Sequence, residues 1–396
     1  MPEPLRLRGR EIVCVGFADW ETDLWTNQHH LMSRLARENR VLFVESLGLR
    51  RPQLAGRDLA RLARRLRRGL TPPRAADGLH VLSPLVLPLQ QRPLRAVNRR
   101  LLRFQVRRAT RRLGIERPIL WAYVPQAEAL VEPLRPELVV YHCVDDVSAI
   151  AGVDVPSFHA TERRFAEQAD LVLASAPALA ARLRRYSGNV IYAPNVADTA
   201  LFSTALDADS ADRADPAVDA LPRPRIVFTG AIVSTKLDIP LICTLAGEHP
   251  EWSFALVGPI GPGDPRTDVS LLREPANIHL LGPRRYEQLP AVLRAADAGL
   301  IPYLRNPVTE SVFPMKVYEY LAAGLPVVAT PLPALADVAE VATAPDASGI
   351  GALLGEAIAG DSPARRLERS HAAAAHSWDR RLEEIAAAVR ALPGRP

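Results

Sequence analysis

Apolar runs alternate with amphipathic stretches twice along this chain, with a break in the pattern between the two series. The first series opens with a strand-like run at residues 11–17, a helical pattern over 27–39 and a second apolar run at 41–45. A β-α-β start of this kind predicts a parallel sheet with a right-handed crossover. Further strands are expected at 80–82, 119–122, 138–142, 171–174 and 190–193, with helical segments between most of them. Around 203–224 the sequence becomes rich in Ala, Asp and Pro and loses its period, which predicts a linker. The second series then places strands at 225–229, 253–258, 278–281, 299–302 and 327–330, and helices at 239–248, 286–296, 315–323 and 350–358. Two doubly wound α/β domains are the economical reading, with ligands expected at the carboxyl ends of the strands. The expected boundaries are 1–202 for the first domain, 203–224 for the linker, 225–375 for the second domain and 376–396 for a C-terminal helix. Ser377 is the candidate cap of that helix.

Length and composition leave this picture intact. The 396 residues suffice for two domains, and 48% hydrophobic with 23% charged residues is ordinary globular composition. Cys14, Cys143 and Cys243 lie too far apart for metal-ligand spacing, and the first two sit in apolar strands as buried thiols of a reducing compartment. No apolar stretch approaches the ~20 residues that span a bilayer. The expectation is a cytoplasmic protein.

Charge changes the picture more. The net charge is +5, and 47 of the 49 basic residues are arginine, Lys236 and Lys316 being the lysines. Residues 50–117 hold 19 arginines against the acids Asp58, Asp77 and Glu116. The runs at 61–68 and 99–108 read as basic amphipathic helices, for which an anionic membrane surface, nucleic acid or a solvated face are the candidate explanations. Phe104 alone interrupts the second run with an aromatic, which disfavours base stacking and favours the membrane surface.

The densest chemistry lies in Phe313-Pro-Met-Lys-Val-Tyr-Glu-Tyr-Leu-Ala-Ala-Gly-Leu-Pro326. A proline precedes a short helix, Gly324 closes it, and Lys316 and Glu319 share one face three positions apart. The helix start and Lys316 suit phosphates, and Glu319 suits hydroxyls. A surface ion pair in an ordinary helix-strand connection is the other reading.

Residues 226–378 resemble the donor-binding domain of GT-B glycosyltransferases, specifically the retaining family-4-type group. The resemblance is carried by Phe228-Thr-Gly230, Lys236, Phe254-Ala-Leu-Val-Gly258, Asn277-Ile-His-Leu-Leu-Gly282, Tyr286-Glu-Gln-Leu-Pro290, Ala296-Asp297, Ile301-Pro302, the Pro314–Pro326 stretch and Trp378. It implies the GT-B fold: two Rossmann-like domains facing across a cleft, with the C-terminal helix returning to the first. It also implies a nucleotide-diphosphate sugar as substrate, no cofactor and no metal. By position, Glu319 would accept from the ribose hydroxyls, and the N–H groups of Val312 and Phe313 would hold the diphosphate. Arg284 and Tyr286 would face the base, and Gly16 and Gly230 would border the donor at strand ends. Lys236 and Lys316 would stabilise the leaving group.

Two departures from the family stand out. Ala231 occupies a position where many members carry arginine. Ser311 stands where they carry a first glutamate, so either Glu310 replaces it through a shifted loop or Ser311 donates a hydrogen bond in its place. In the first half, Tyr141-His-Cys-Val-Asp-Asp-Val-Ser148 ends a strand and resembles bacterial cell-surface polysaccharide transferases of the teichuronic-acid type. His142, Asp145 and Asp146 are candidates for orienting acceptor or donor sugar. The adjacent aspartates diverge on a strand, which argues against a metal pair. Trp25, His29 and His30 are candidates for ligand contact or for packing, and Asn195 for a position near the ligand. The acceptor class expected is a saccharide, a lipid-linked intermediate or a secondary metabolite. A catalytically silent GT-B scaffold is the alternative, and a nucleic-acid partner is the weakest reading.

Overall fold

The structure is a computed structural model that describes residues 7–22, 24–47, 71–86, 92–149, 153–207, 214–262, 264 and 266–392. It forms two compact units, Met1–Pro194 with Leu382–Pro396, and Asn195–Arg381. The C-terminal helix Trp378–Arg390 begins in the second unit and from Leu382 counts with the first. Ser377 accepts from the Arg380 N–H at 3.3 Å, as its cap position predicts.

In the first unit the strands are β1 (Glu11–Val15), β2 (Arg40–Val44), β3 (Arg74–Ala76), β4 (Leu79–Leu82), β5 (Ile119–Ala122), β6 (Leu138–Cys143), β7 (Leu171–Ala174) and β8 (Val190–Tyr192). They lie in the order β3-β4-β2-β1-β5-β6-β7-β8. All neighbours are parallel except β3, which pairs antiparallel with β4. Strands β5, β6 and β7 are buried on both faces, which is why they read as continuous apolar runs without alternation. The edge strand β3, three residues with Ala75 exposed, carries no such run, and its pattern did not announce it.

The second unit holds β9 (Arg225–Thr229), β10 (Ser253–Val257), β11 (Ile278–Leu280), β12 (Ala298–Ile301), β13 (Val327–Ala329) and β14 (Val341–Thr343). Their order is β11-β10-β9-β12-β13-β14, all parallel. The order reverses between β9 and β12, where the connections leave on opposite sides and open a crevice beyond the carboxyl ends. The expected linker at 203–224 is a correction. Its described part carries the helix Pro216–Asp219, follows the helix Thr199–Ser203, and belongs to the second unit, with Phe202 and Val218 in that unit's core. Asp198 and Asp215 cap these two helices, so the aspartates of this stretch act locally as N-caps.

Candidate active site

The crevice between β9 and β12 gathers most of the residues singled out in the second half, Arg284 and Tyr286 apart. Strand β9 ends at Thr229-Gly230, and the chain after β12 continues through Pro302-Tyr303. Gly230 N–H bonds Val257 C=O at 2.9 Å, and Gly258, just past the end of β10, lies so close to the Gly230 carbonyl that any Cβ there would collide with it. Only glycine permits this approach of two strand ends. The helix Lys316–Ala322 packs behind the crevice, ended by Gly324 in the left-handed region at φ +80°. It has seven residues, so its dipole is slight, and the N–H groups at its start matter more than its length.

Three aromatic and charged contacts fix its first turns. Lys316 Nζ reaches across to donate to Tyr303 Oη at 2.8 Å and lies 5.1 Å from the centroids of both Phe228 and Tyr303. A Cβ at Gly230 would stand 3.5 Å from that ammonium, so Lys316 sits at the end of β9. Tyr320 Oη accepts from Thr229 N–H at 2.7 Å, and its ring fills the space left by the missing side chain of Gly299. Glu319 is buried, 6% exposed. Among the described residues no hydrogen bond or ion pair engages its carboxylate. Burial pushes its pKa up to about 7, against the pull of Lys316. Burial opposes the Lys316 ammonium too, but Tyr303, Tyr320 and Glu319 outweigh it and hold Lys316 above its ordinary value. The surface ion pair of the other reading is therefore not what forms, because Glu319 is buried and the half-buried Lys316 bonds a tyrosine.

The loop before the helix is built by its own polar groups. Asn306 Oδ1 accepts from Val308 and Thr309 N–H, and Asn306 Nδ2 donates to Thr235 C=O at 3.0 Å. A turn of 3-10 helix, Thr309–Ser311, follows. Glu310 is exposed and Ser311 is buried. Val312 N–H is spent on Thr309 C=O at 3.2 Å, which corrects the expectation that it would be offered to a ligand. The N–H groups of Phe313, Met315 and Lys316 meet no acceptor among the described residues. Asn195 is buried and donates from Nδ2 to Phe313 C=O at 2.9 Å, which pins this loop. Lys236 is half-buried. Its C=O accepts from Leu304 N–H at 2.8 Å, and Leu237 bridges Tyr303, so its segment is zipped to the chain leaving β12.

Other expected residues serve the fold. The Arg284 guanidinium is held by Asp215, with Nε–Oδ2 at 2.6 Å, and donates to Leu281 C=O at 2.9 Å. Burial would raise the Asp215 carboxyl, but Arg284 and the helix N–H groups outweigh it and hold it below the usual range. Tyr286 packs edge-on against Phe202, ring centroids 5.5 Å apart. Neither is left poised for a ligand by these contacts.

In the first unit the order of strands reverses between β1 and β5. Gly16 lies at that point, where a Cβ would come within 2.5 Å of the Phe43 ring and 2.6 Å of Gln28 Oε1. His142 is buried and stacked on Tyr123 at 4.9 Å, so it belongs to the core and not to an open edge. Asp146 accepts from Ser148 and pairs with Arg182 at 2.6 Å. Arg182 in turn pairs at 3.2 Å with the fully buried Glu162, which also accepts from Tyr141 Oη at 2.9 Å. Asp145 remains half-exposed at the end of β6. His29 accepts from Thr26 N–H through Nδ1 at 3.1 Å, and its Nε2 lies 3.0 Å from Asp19 C=O, a capping role. Trp25 lies against His29 and His30, with ring centroids 6.0 and 5.2 Å apart. Tyr303, Tyr320 and Phe228 were missed. The one signal for Tyr303 was an aromatic placed directly after the strand-ending Ile301-Pro302.

Residues 223–354, which contain this crevice, match the family Glycosyl transferases group 1. A segment of 106 residues is 40% identical to TuaH of Bacillus subtilis (strain 168), named as a teichuronic acid biosynthesis glycosyltransferase; the match covers 27% of this chain and 26% of that protein's length. The chain is also similar in structure to sucrose-phosphate synthase of Thermosynechococcus elongatus, with TM-score 0.67 and 16% identity over 96% of this chain and 98% of that one. Anabaena HepE, solved in complex with UDP, gives TM-score 0.63 and 13% identity over 97% of this chain and 100% of its own. The fold is GT-B. The chain resembles GT-B glycosyltransferases, with the group 1 domain in its second unit.

Proposed function

We propose that the protein is a glycosyltransferase that takes its sugar from a nucleotide-diphosphate donor bound at the β9–β12 crevice. The observation that carries this reading is Glu319: a buried carboxylate with no hydrogen-bond partner among the described residues, beside the half-buried Lys316 ammonium, inside a glycosyl transferases group 1 match. Burying an unpaired carboxylate is costly unless a ligand supplies donors. Vicinal hydroxyls of a ribose would do so. The unsatisfied N–H groups of Phe313, Met315 and Lys316 then suit the diphosphate, with the Lys316 ammonium at the end of β9. HepE was solved with UDP, and a trehalose-6-phosphate enzyme of E. coli of the same fold with UDP-2-fluoro glucose. The second ligand is of the donor class, and the first is the nucleoside diphosphate that such a donor leaves.

In the reaction the C1–oxygen bond to the diphosphate breaks and a bond from the acceptor oxygen to C1 forms. The acceptor hydroxyl proton passes to a phosphate oxygen, and the nucleoside diphosphate leaves. Charge that develops on the leaving group is met by Lys316, held in place by Tyr303 before the reaction, and by Lys236, whose backbone is tied to the chain leaving β12. Lys316 thus stands in for the arginine that Ala231 replaces. We assign the family-4-type retaining course, without a metal, on the same resemblance. Asp145, half-exposed past the end of β6, is the residue of its cluster that we assign to the sugar or acceptor. The acceptor class we propose is a cell-envelope saccharide or its lipid-linked precursor, on the likeness to TuaH. Three free cysteines fit a reducing, cytoplasmic setting.

The test is a panel of nucleotide sugars, read by release of nucleoside diphosphate and by thermal stabilisation. A donor that stabilises wild-type protein but not Glu319→Ala supports the reading. A donor turned over equally by both sinks it.

A further inference from the structure

The helix Arg92–Leu113 presents two unlike sets of arginines. One set is paired: Arg95 with Asp154 at 2.8 Å, Arg99 with Glu128 at 3.3 Å and Arg103 with Glu132 at 3.1 Å. These tie the helix to its neighbours in the first unit. The other set, Arg100, Arg107 and Arg111, is exposed, and no ion pair among the described residues engages it. With Val97 and Phe104 these three recur at helical spacing and form one stripe, about 80° wide and about 21 Å long. Phe104 is 65% exposed and Val97 39%, on a helix whose opposite side buries Leu102 and Val106. The stripe borders a groove of about 1770 Å³ that also holds Arg108, Arg112, Arg117 and Arg135. Its acids are Glu116 and Glu132, and the second is already paired.

We infer that this stripe docks the protein on a bilayer surface rich in anionic lipid. Guanidinium groups pair with lipid phosphates, and the exposed phenyl ring and valine enter the headgroup boundary between them. A merely solvated basic face would give no reason to expose Phe104 at its centre, whereas an interfacial helix needs an apolar anchor among its cations. A nucleic acid would ask for a series of aromatics along the groove, and Phe104 stands alone. The inference does not rest on the proposed catalysis. No helix among the described residues is long and apolar enough to cross a membrane, so attachment here is to the surface. The other basic run, at 61–68, lies outside the described residues.

The experiment is co-sedimentation of the full chain with vesicles of phosphatidylcholine alone or with about one-third phosphatidylglycerol, at about 0.1 and 0.5 M salt. Wild-type protein is expected to sediment with the anionic vesicles at low salt only. R107A/R111A should bind them roughly 30-fold more weakly, about fivefold per arginine. F104A should bind severalfold more weakly with an unchanged salt dependence, because it removes an apolar contact. The control R184A/R185A, exposed just past the helix Pro177–Leu183, should bind like wild type, and all variants should share one thermal midpoint. Equal binding to neutral vesicles, no loss in R107A/R111A, or tighter binding to duplex DNA at matched salt would each overturn the inference.

Discussion

Each unit buries a carboxylate near the end of its parallel sheet, and the two are treated in opposite ways. Glu162 in the first unit accepts from Tyr141 Oη and Arg182 through Oε1, and His159 Nδ1 lies 3.6 Å from its Oε2. Arg182 also holds Asp146, so the charges there close on one another. Among the described residues Glu319 in the second unit has Lys316 as its charged neighbour, and that ammonium gives its hydrogen bond to Tyr303. A buried charge with its partners inside the fold serves the fold. A buried charge whose donors are missing is arranged for something that arrives later. The sharpest way to break this contrast is to remove one charge from each side.

Arg182→Ala should have the largest effect. It strands Glu162 and Asp146 and is expected to cost about 3–5 kcal/mol of stability, read by urea unfolding. Loss under about 1 kcal/mol would show that the first-unit cluster is not a structural one. Glu319→Ala should leave the unfolding midpoint nearly unchanged while lowering transfer about a hundredfold or more. That figure corresponds to two charge-assisted hydrogen bonds at roughly 1.5–3 kcal/mol each. Lys316→Met should cost about tenfold or more in turnover through leaving-group stabilisation, and Tyr303→Phe, which frees the ammonium, only a few-fold.

How far these sites were legible follows from the same contrast. The strands and helices around the crevice announced themselves because parallel strands buried on both faces are continuous apolar runs, and Gly324 and Pro326 punctuate the helix-strand connection. Glu319 and Lys316 were found because helical spacing is a local property. Arg284, His142 and Asp146 misled because partners remote in sequence decide their roles. Asp215 lies 69 positions from Arg284, and Arg182 lies 36 from Asp146. Tyr303 was overlooked for the same reason, since its meaning comes from Lys316 crossing to it from another element. The stretch at 203–224 read as a linker because its aspartates and prolines look like loop chemistry, yet they cap and start helices.

Smaller effects sharpen the contrast. Burial raises the Glu319 pKa from 4.5 to about 7. The folded protein then holds a proton that the unfolded chain releases, so the associated stability is present below 4.5 and is lost as pH rises through about 7. Binding of hydroxyl donors favours the ionised form, so nucleotide affinity should rise across neutral pH, with that component absent in Glu319→Gln. An identical pH profile for the variant would mean that Glu319 does not titrate on binding. Smallest of all, the exposed Glu310→Gln should change transfer less than twofold, and the buried Ser311→Ala about fivefold, about 1 kcal/mol. The reverse order would make Glu310 the sugar contact.

The central claim is that the buried Glu319 awaits a nucleotide, and calorimetric titration of UDP into wild-type protein and Glu319→Gln tests it most directly. The expected result is saturable binding by the wild type and binding weakened about tenfold or more in the variant, with equal unfolding midpoints for the two. Equal affinity for UDP in both proteins would contradict it.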